Sequence, residues 1–118
     1  MTPFLIAFLW TLAFETPVYA LMLDREARAW PGPLLVALAL NVMTHPLFSW
    51  WALTAHPTEP TIVAMECAIS VAEGLALAAM RWRNPKCAAR GARLLLASVG
   101  VAFLANATSY GLGRLLFA

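Results

Sequence analysis

Charge is what this 118-residue chain has least of. Its six acidic and eight basic residues make up 12% of the sequence, against about a quarter in ordinary water-soluble domains. With 62% hydrophobic residues and a mean hydropathy of +0.74, the chain cannot be intrinsically disordered, since disorder needs few apolar residues and high net charge. The same imbalance excludes a water-soluble globule. The net charge of +2 is too small for a nucleic-acid partner. Cysteine is scarce as well. Cys67 lies inside an apolar segment and Cys87 in a basic stretch beyond its far end, too far apart for a disulfide. A Gly-rich phosphate loop, the His-Glu-x-x-His spacing and a Ser/His/Asp order are all missing, which favours a non-enzyme and leaves a metal-dependent enzyme as an alternative. The N-terminus lacks a basic n-region and a small-residue cleavage site, so the first apolar run is expected to stay as a helix.

What is abundant is long apolar runs. A spanning helix needs about 20 such residues, and four runs qualify, at about 4–23, 34–53, 61–80 and 94–112. Little sequence lies between them. The expected fold is one all-α domain over 1–118, an integral membrane bundle of four helices built as two hairpins. Charged or Pro/Gly-punctuated breaks separate the runs at 24–33, at His56-Pro57-Thr58-Glu59-Pro60 and at 81–93.

The basic residues sort to one side. Arg25 and Arg28 follow span one, and Arg81, Arg83, Lys86, Arg90 and Arg93 follow span three, whereas the turn after span two has none. The positive-inside rule puts 24–33 and 81–93 in the cytoplasm and both termini outside, as in a bacterial cytoplasmic membrane. Arg114 is the exception and can snorkel to the outer headgroups. The five cations of 81–93 are expected to contact anionic lipid headgroups, at about 1 kcal/mol each. Trp50 and Trp51 at the outer surface, and Trp30 and Trp82 at the inner one, form the interfacial aromatic belt.

The halves, about 1–55 and 56–118, look alike. Asn41-Val42-Met43-Thr44 resembles Asn106-Ala107-Thr108-Ser109, and each half opens with a glutamate-bearing helix: Glu15 in one, Glu66 and Glu73 in the other. Two spans per half imply a parallel repeat about an axis along the membrane normal. Glu15 matches Glu73 by depth and Glu66 by local sequence.

Half of the acidic residues lie inside spans, where a charge costs about 2.5 to 3.5 kcal/mol at the bilayer centre. At 1.5 Å rise per residue, Glu15 and His45 lie about 16 Å from one end of their spans, and Glu73 and Asn106 about 18 Å. Each helix thus brings one strongly polar group to the middle of a core about 30 Å thick. Glu66 is shallower. Helical spacing places Asn41, Thr44, His45 and Phe48 on one stripe, Asn106, Ser109, Tyr110 and Gly113 on another, and Thr11, Glu15 and Tyr19 on a third. Polar stripes of spanning helices face the bundle interior. Pro17 and Pro46 would free the carbonyls of Ala13 and Val42 beside them, in keeping with a small polar cavity.

These residues point first to a proton- or cation-linked transporter or channel. Glu15, Glu73 and Glu66 would carry the proton or cation, His45 would titrate with them, and Asn41, Thr44, Asn106, Ser109, Tyr19 and Tyr110 would form the polar lining. A non-catalytic accessory subunit of a larger membrane complex is the second reading. A small metal-dependent membrane enzyme, with a divalent metal on His45, Glu15 and Glu73, is the third; otherwise no cofactor is expected. So small a bundle is expected to form a homo-oligomer or join a complex. In length, span number and the glutamate of span one the chain resembles the small multidrug resistance transporters. Phe14-Glu15-Thr16-Pro17 carries a proline that family lacks, and the one-sided charge fixes a single orientation.

Overall fold

In a computed structural model of the chain, residues 3–23 and 32–117 are described. Helix α1 spans Pro3–Met22, α2 Pro33–Ala55, α3 Glu59–Trp82, α4 Pro85–Ala88 and α5 Ala92–Phe117. Among the described residues there is no strand. Four of the helices are long and apolar enough to cross a membrane. The long axis of the molecule, 43 Å, matches a bilayer with its headgroups, about 40–45 Å.

The helices run on past the expected spans where the local chemistry allows it. Pro33 opens α2 and Pro60 lies in the first turn of α3, where proline's missing N–H costs nothing. At the far end of α2, His56 takes a left-handed conformation with φ 45°, the geometry that closes many helices. The polar stretch 81–93 is more ordered than a plain loop. Asn84 accepts a hydrogen bond from the Lys86 amide and starts the single turn α4. Gly91, at φ +52°, then reverses the chain into α5, a backbone conformation that suits glycine. Helices α1 and α2 continue unbroken through Pro17 and Pro46.

Each hairpin packs on itself, α1 on α2 and α3 on α5. The hairpins meet along two seams, an extensive one between α1 and α5 and a slighter one between α2 and α3. The α3–α5 contact is the largest, and its centre explains why. A Cβ on Gly74 would lie 2.4 Å from Val99 Cα, so only glycine lets the two backbones come this close.

The apolar core is at one end. Tyr19, Leu23, Val36, Ala37, Leu40, Leu77, Val101 and Ala105 form a single buried cluster. Most of them lie where α1 finishes, α2 begins and α3 finishes, with Val101 and Ala105 packing on from the first half and middle of α5. Leucines such as Leu21, Leu47, Leu96 and Leu115 are 70–80% exposed, on outward faces that suit lipid and not water. Trp50 and Trp82 are also exposed, as interfacial residues would be. Arg25, Arg28 and Trp30 lie outside the described residues.

Arg81 departs from the expected headgroup contact. It is 7% exposed, and its Nη1 donates to Ser98 Oγ of α5 at 2.9 Å. It sits in the last turn of α3, still inside the helix pair, and so faces its partner helix. Arg83, Lys86, Arg90 and Arg93 are exposed.

Candidate functional site

The polar residues in the middle of the bundle are organised by two asparagines. Asn41 Nδ2 donates to the Ala37 carbonyl one turn back at 2.9 Å and to Glu15 Oε2 at 2.7 Å. Asn106 Nδ2 donates to the Ala102 carbonyl one turn back at 3.0 Å and to Glu73 Oε2 at 2.6 Å. An amide nitrogen has two protons. In each hairpin, one goes to the asparagine's own helix and the other to a glutamate on the hairpin's first long helix. Thr44 ties the hairpins together: its Oγ1 lies 2.6 Å from Glu73 Oε1 and 3.1 Å from the Leu40 carbonyl.

Glu15, Asn41, Glu73 and Asn106 are all buried. An interhelical hydrogen bond in a membrane is worth about 0.6 kcal/mol on average. One such bond to Glu15 and two to Glu73 fall short of the cost of burying a charge there, about 2.5 to 3.5 kcal/mol.

Above the glutamate pairs lies a small cavity of about 30 Å³, walled by Thr11 of α1, Asn41, Thr44, His45 and Phe48 of α2, Glu66, Ile69 and Glu73 of α3, and Asn106 and Ser109 of α5. All four long helices contribute to it. A water needs roughly 10–15 Å³ of such space and two to four polar partners, so the cavity takes about two waters.

Two larger apolar grooves lead away from it towards the end of the bundle opposite the core. One, of about 450 Å³, runs between α1 and α5 past Trp10, Tyr110 and Arg114, and shares Thr11, Glu66 and Ser109 with the cavity. The other, of about 440 Å³, follows the α2–α3 seam past Met43, Leu47, Trp51 and Met65, and shares Thr44, Phe48 and Ile69 with it. Towards the opposite end the core cluster fills the bundle. The cavity thus shares wall residues with grooves on the side of Pro3, the 56–58 turn and Phe117, and the core cluster lies on the side of α4.

Glu66, Glu73, His45, Asn41, Thr44, Asn106 and Ser109 thus come together around one cavity. Three expected lining or carrier residues lie elsewhere. Glu15 is fully buried behind Asn41 and is not part of the wall. Tyr19, one turn further, is packed inside the apolar cluster; among the described residues its hydroxyl and Glu15 Oε1 have no hydrogen-bond partner. Tyr110 lines the α1–α5 groove, with its hydroxyl 3.3 Å from Glu59 Oε1 in the same cluster as the Arg114–Glu59 ion pair at 3.1 Å.

The metal set of His45, Glu15 and Glu73 does not form. Among the described residues no three His, Cys, Asp or Glu side chains gather to hold an ion. The two glutamates turn towards their own asparagines, and the His45 ring packs against Phe8, with centroids 5.7 Å apart.

Sequence reasoning passed over Thr11 as a wall residue, although it shares the stripe of Glu15. It also missed the Arg81–Ser98 bond, whose only sequence sign is a serine inside an apolar run opposite the end of α3. No family model, curated protein or solved structure matches the chain.

Proposed function

We propose that the chain is a small integral membrane protein that moves protons, or a cation coupled to them, through the polar cavity between its two hairpins. The observation that carries this reading is the cavity itself, with Glu66, Glu73 and His45 in one wall system drawn from four helices. Ionisable side chains held at that depth mark ion or proton pathways by default. Glu73 is the carrier at the cavity wall and Glu15, behind Asn41 and off the wall, is the second carrier; His45 is the titrating neighbour of Glu73, and Asn41, Asn106, Thr44 and Ser109 supply the polar lining.

The positive-inside rule sets the orientation: Arg25, Arg28, Arg83, Lys86, Arg90 and Arg93 face the cytoplasm and both termini face outward. The grooves are then the outer access to the cavity, and the cluster around Tyr19, Leu40 and Leu77 is the inner seal. The hairpins act as a parallel repeat in which Asn41 corresponds to Asn106 and Glu15 to Glu73. The matching pairs of asparagine hydrogen bonds support that alignment.

The test is flux in proteoliposomes loaded with a pH-sensitive dye. Wild-type protein is expected to collapse an imposed pH gradient, and Glu15→Gln and Glu73→Gln to lose that activity while staying folded. Full activity in both variants overturns the reading.

A second reading has its own support. The slight α2–α3 seam leaves an apolar groove of about 440 Å³, wide enough to seat side chains of another helix. An accessory subunit, with its polar residues specifying assembly, would copurify with a larger complex in mild detergent and show no flux alone.

A further inference from the structure

We infer that Glu66 is the outer proton relay of this site, passing protons through water in the central cavity to Glu73. The inference rests on the proton-linked reading above and gives Glu66 a role distinct from that of the deeper glutamates.

Position is the first argument. Thr11, Glu66 and Ser109 are common to the α1–α5 groove and the cavity, and Glu66 is the one ionisable residue among them. His45 and Glu73 reach the cavity but not the groove. A proton arriving by the groove therefore meets Glu66 before any other group that can carry it inward.

Spacing is the second. Glu66 and Glu73 are seven residues apart on α3, two turns and about 10.5 Å along one face. Both side chains line the same cavity from these two levels, and no hydrogen bond joins their carboxyls. The cavity between them holds about two waters, enough to bridge them. Anything much larger than water does not fit there.

The third argument is the contrast in bonding. Both oxygens of Glu73 are engaged, one with Asn106 and one with Thr44. No hydrogen bond or ion pair from a described residue engages the Glu66 carboxylate; only its backbone carbonyl accepts, from Ser70 Oγ at 2.8 Å. Glu73 is held in one place, whereas Glu66 is left to exchange with water. Thr44 has a single hydroxyl proton. Its contacts with Leu40 and Glu73 are made together without sharing when Thr44 donates to the carbonyl and a protonated Glu73 donates to Thr44.

The step balances without any co-reactant. A hydronium ion in the groove protonates the Glu66 carboxylate and leaves water. Glu66 then gives its proton to a cavity water as that water chain releases one to the Glu73 carboxylate. The negative charge moves from Glu73 back to Glu66, which is ready for the next proton. Other ionisable groups near Glu66 are Tyr110 and Arg114 in the groove, Arg114 being paired with Glu59. Cys67 lies beside it on the α3–α5 face, and His45 and Glu73 lie in the cavity. On α1 the neighbours Trp10 and Thr11 do not ionise, and Glu15, deeper on the same helix and bonded to Asn41, is the one α1 carboxyl within electrostatic reach of Glu66.

The experiment follows the infrared carbonyl band of protonated Glu73, assigned by its loss in Glu73→Gln, after an acid jump on detergent-solubilised full-length protein. Glu66→Gln is expected to slow the rise of that band about 10²-fold, within the range a positioned proton donor contributes, and to leave its final amplitude unchanged. An unchanged rate in Glu66→Gln with the band intact overturns the relay and leaves the transport reading standing. If Glu66→Gln removes the band altogether, Glu66→Asp decides: a near-normal rate supports the relay, and a missing band there too overturns it. Wild-type protein without any such band overturns both readings.

Discussion

Asn106 holds Glu73 from across the α3–α5 interface, with its amide nitrogen 2.6 Å from Oε2 while it also bonds its own helix at the Ala102 carbonyl. Asn41 treats Glu15 in the same way across α1 and α2. Each bond is interhelical and buried, and bonds of that kind average about 0.6 kcal/mol and reach about 1.7. A double-mutant cycle over Glu73→Gln and Asn106→Ala, read by unfolding in mixed micelles, is expected to give a coupling in that range. The Glu15/Asn41 cycle should give a similar value, and the two should not add strictly, because Asn41, Asn106 and Glu73 share one cavity wall and Thr44 ties the hairpins. A coupling near zero for both would remove these bonds from the forces that fix the bundle.

The Gly74–Val99 contact makes a sharper stability prediction. A methyl group at 74 would be 2.4 Å from the Val99 backbone, and backbone cannot swing aside. Gly74→Ala should cost at least about 1–3 kcal/mol, the usual penalty for overpacking, and Val99→Ala should not relieve it. Gly100→Ala and Gly111→Ala, inside α5 where a Cβ meets nothing within 4 Å, should not destabilise the protein to thermal unfolding in detergent and should raise stability by up to about 1 kcal/mol, the helix preference of alanine over glycine.

Buried Arg81 predicts a difference among the basic residues of one stretch. Removing its partner leaves a buried charge without that bond, so Ser98→Ala should destabilise by about 1–3 kcal/mol. Arg83→Ala and Arg90→Ala, on exposed side chains, should stay within about 0.5 kcal/mol. Thermal unfolding of the three purified variants checks this.

One-sided opening of the polar centre can be read by thiol labelling in a background lacking Cys67 and Cys87. Thr11→Cys and Ser109→Cys, both on the groove, should react with a membrane-impermeant maleimide added from the side of the termini. Leu77→Cys and Val101→Cys, inside the core cluster, should resist it from either side. Labelling of Thr11→Cys and Ser109→Cys from the α4 side alone would reverse the assigned direction of access.

The helices were legible in the sequence because spanning a bilayer needs a composition, not a partner: about 20 apolar residues in a row suffice. The stripes were legible for a similar reason, since helical spacing alone puts Asn41, Thr44 and His45 on one side. Which residue meets which was not. Depth aligned Glu15 with Glu73 and local sequence aligned it with Glu66, and only the packing of α5 on α3 places Asn106 against Glu73. Tyr19 shared the stripe of Glu15, yet one further turn carries it from the polar layer into the apolar seal. Periodicity gives the face of a helix and leaves open where the polar layer stops. His45 was assigned to the glutamates by depth, whereas its ring lies against Phe8 at the edge of the same cavity. Arg81 read as a headgroup anchor because its neighbours are basic, and the extension of α3 to Trp82 brings it inside the helix pair.

The most direct measurement is a static infrared titration of the purified protein in lipid nanodiscs, comparing wild type with Glu15→Gln, Glu66→Gln and Glu73→Gln. Carboxyls that load and unload protons in a shared hydrated cavity should give a reversible protonated-carbonyl band, part of it lost in Glu73→Gln and the remainder shifted in frequency because the cavity's hydrogen bonding has changed. A spectrum without any reversible carboxyl band in the wild type, or one that the three substitutions leave untouched, would reduce the molecule to a hydrophobic bundle whose glutamates only hold helices together.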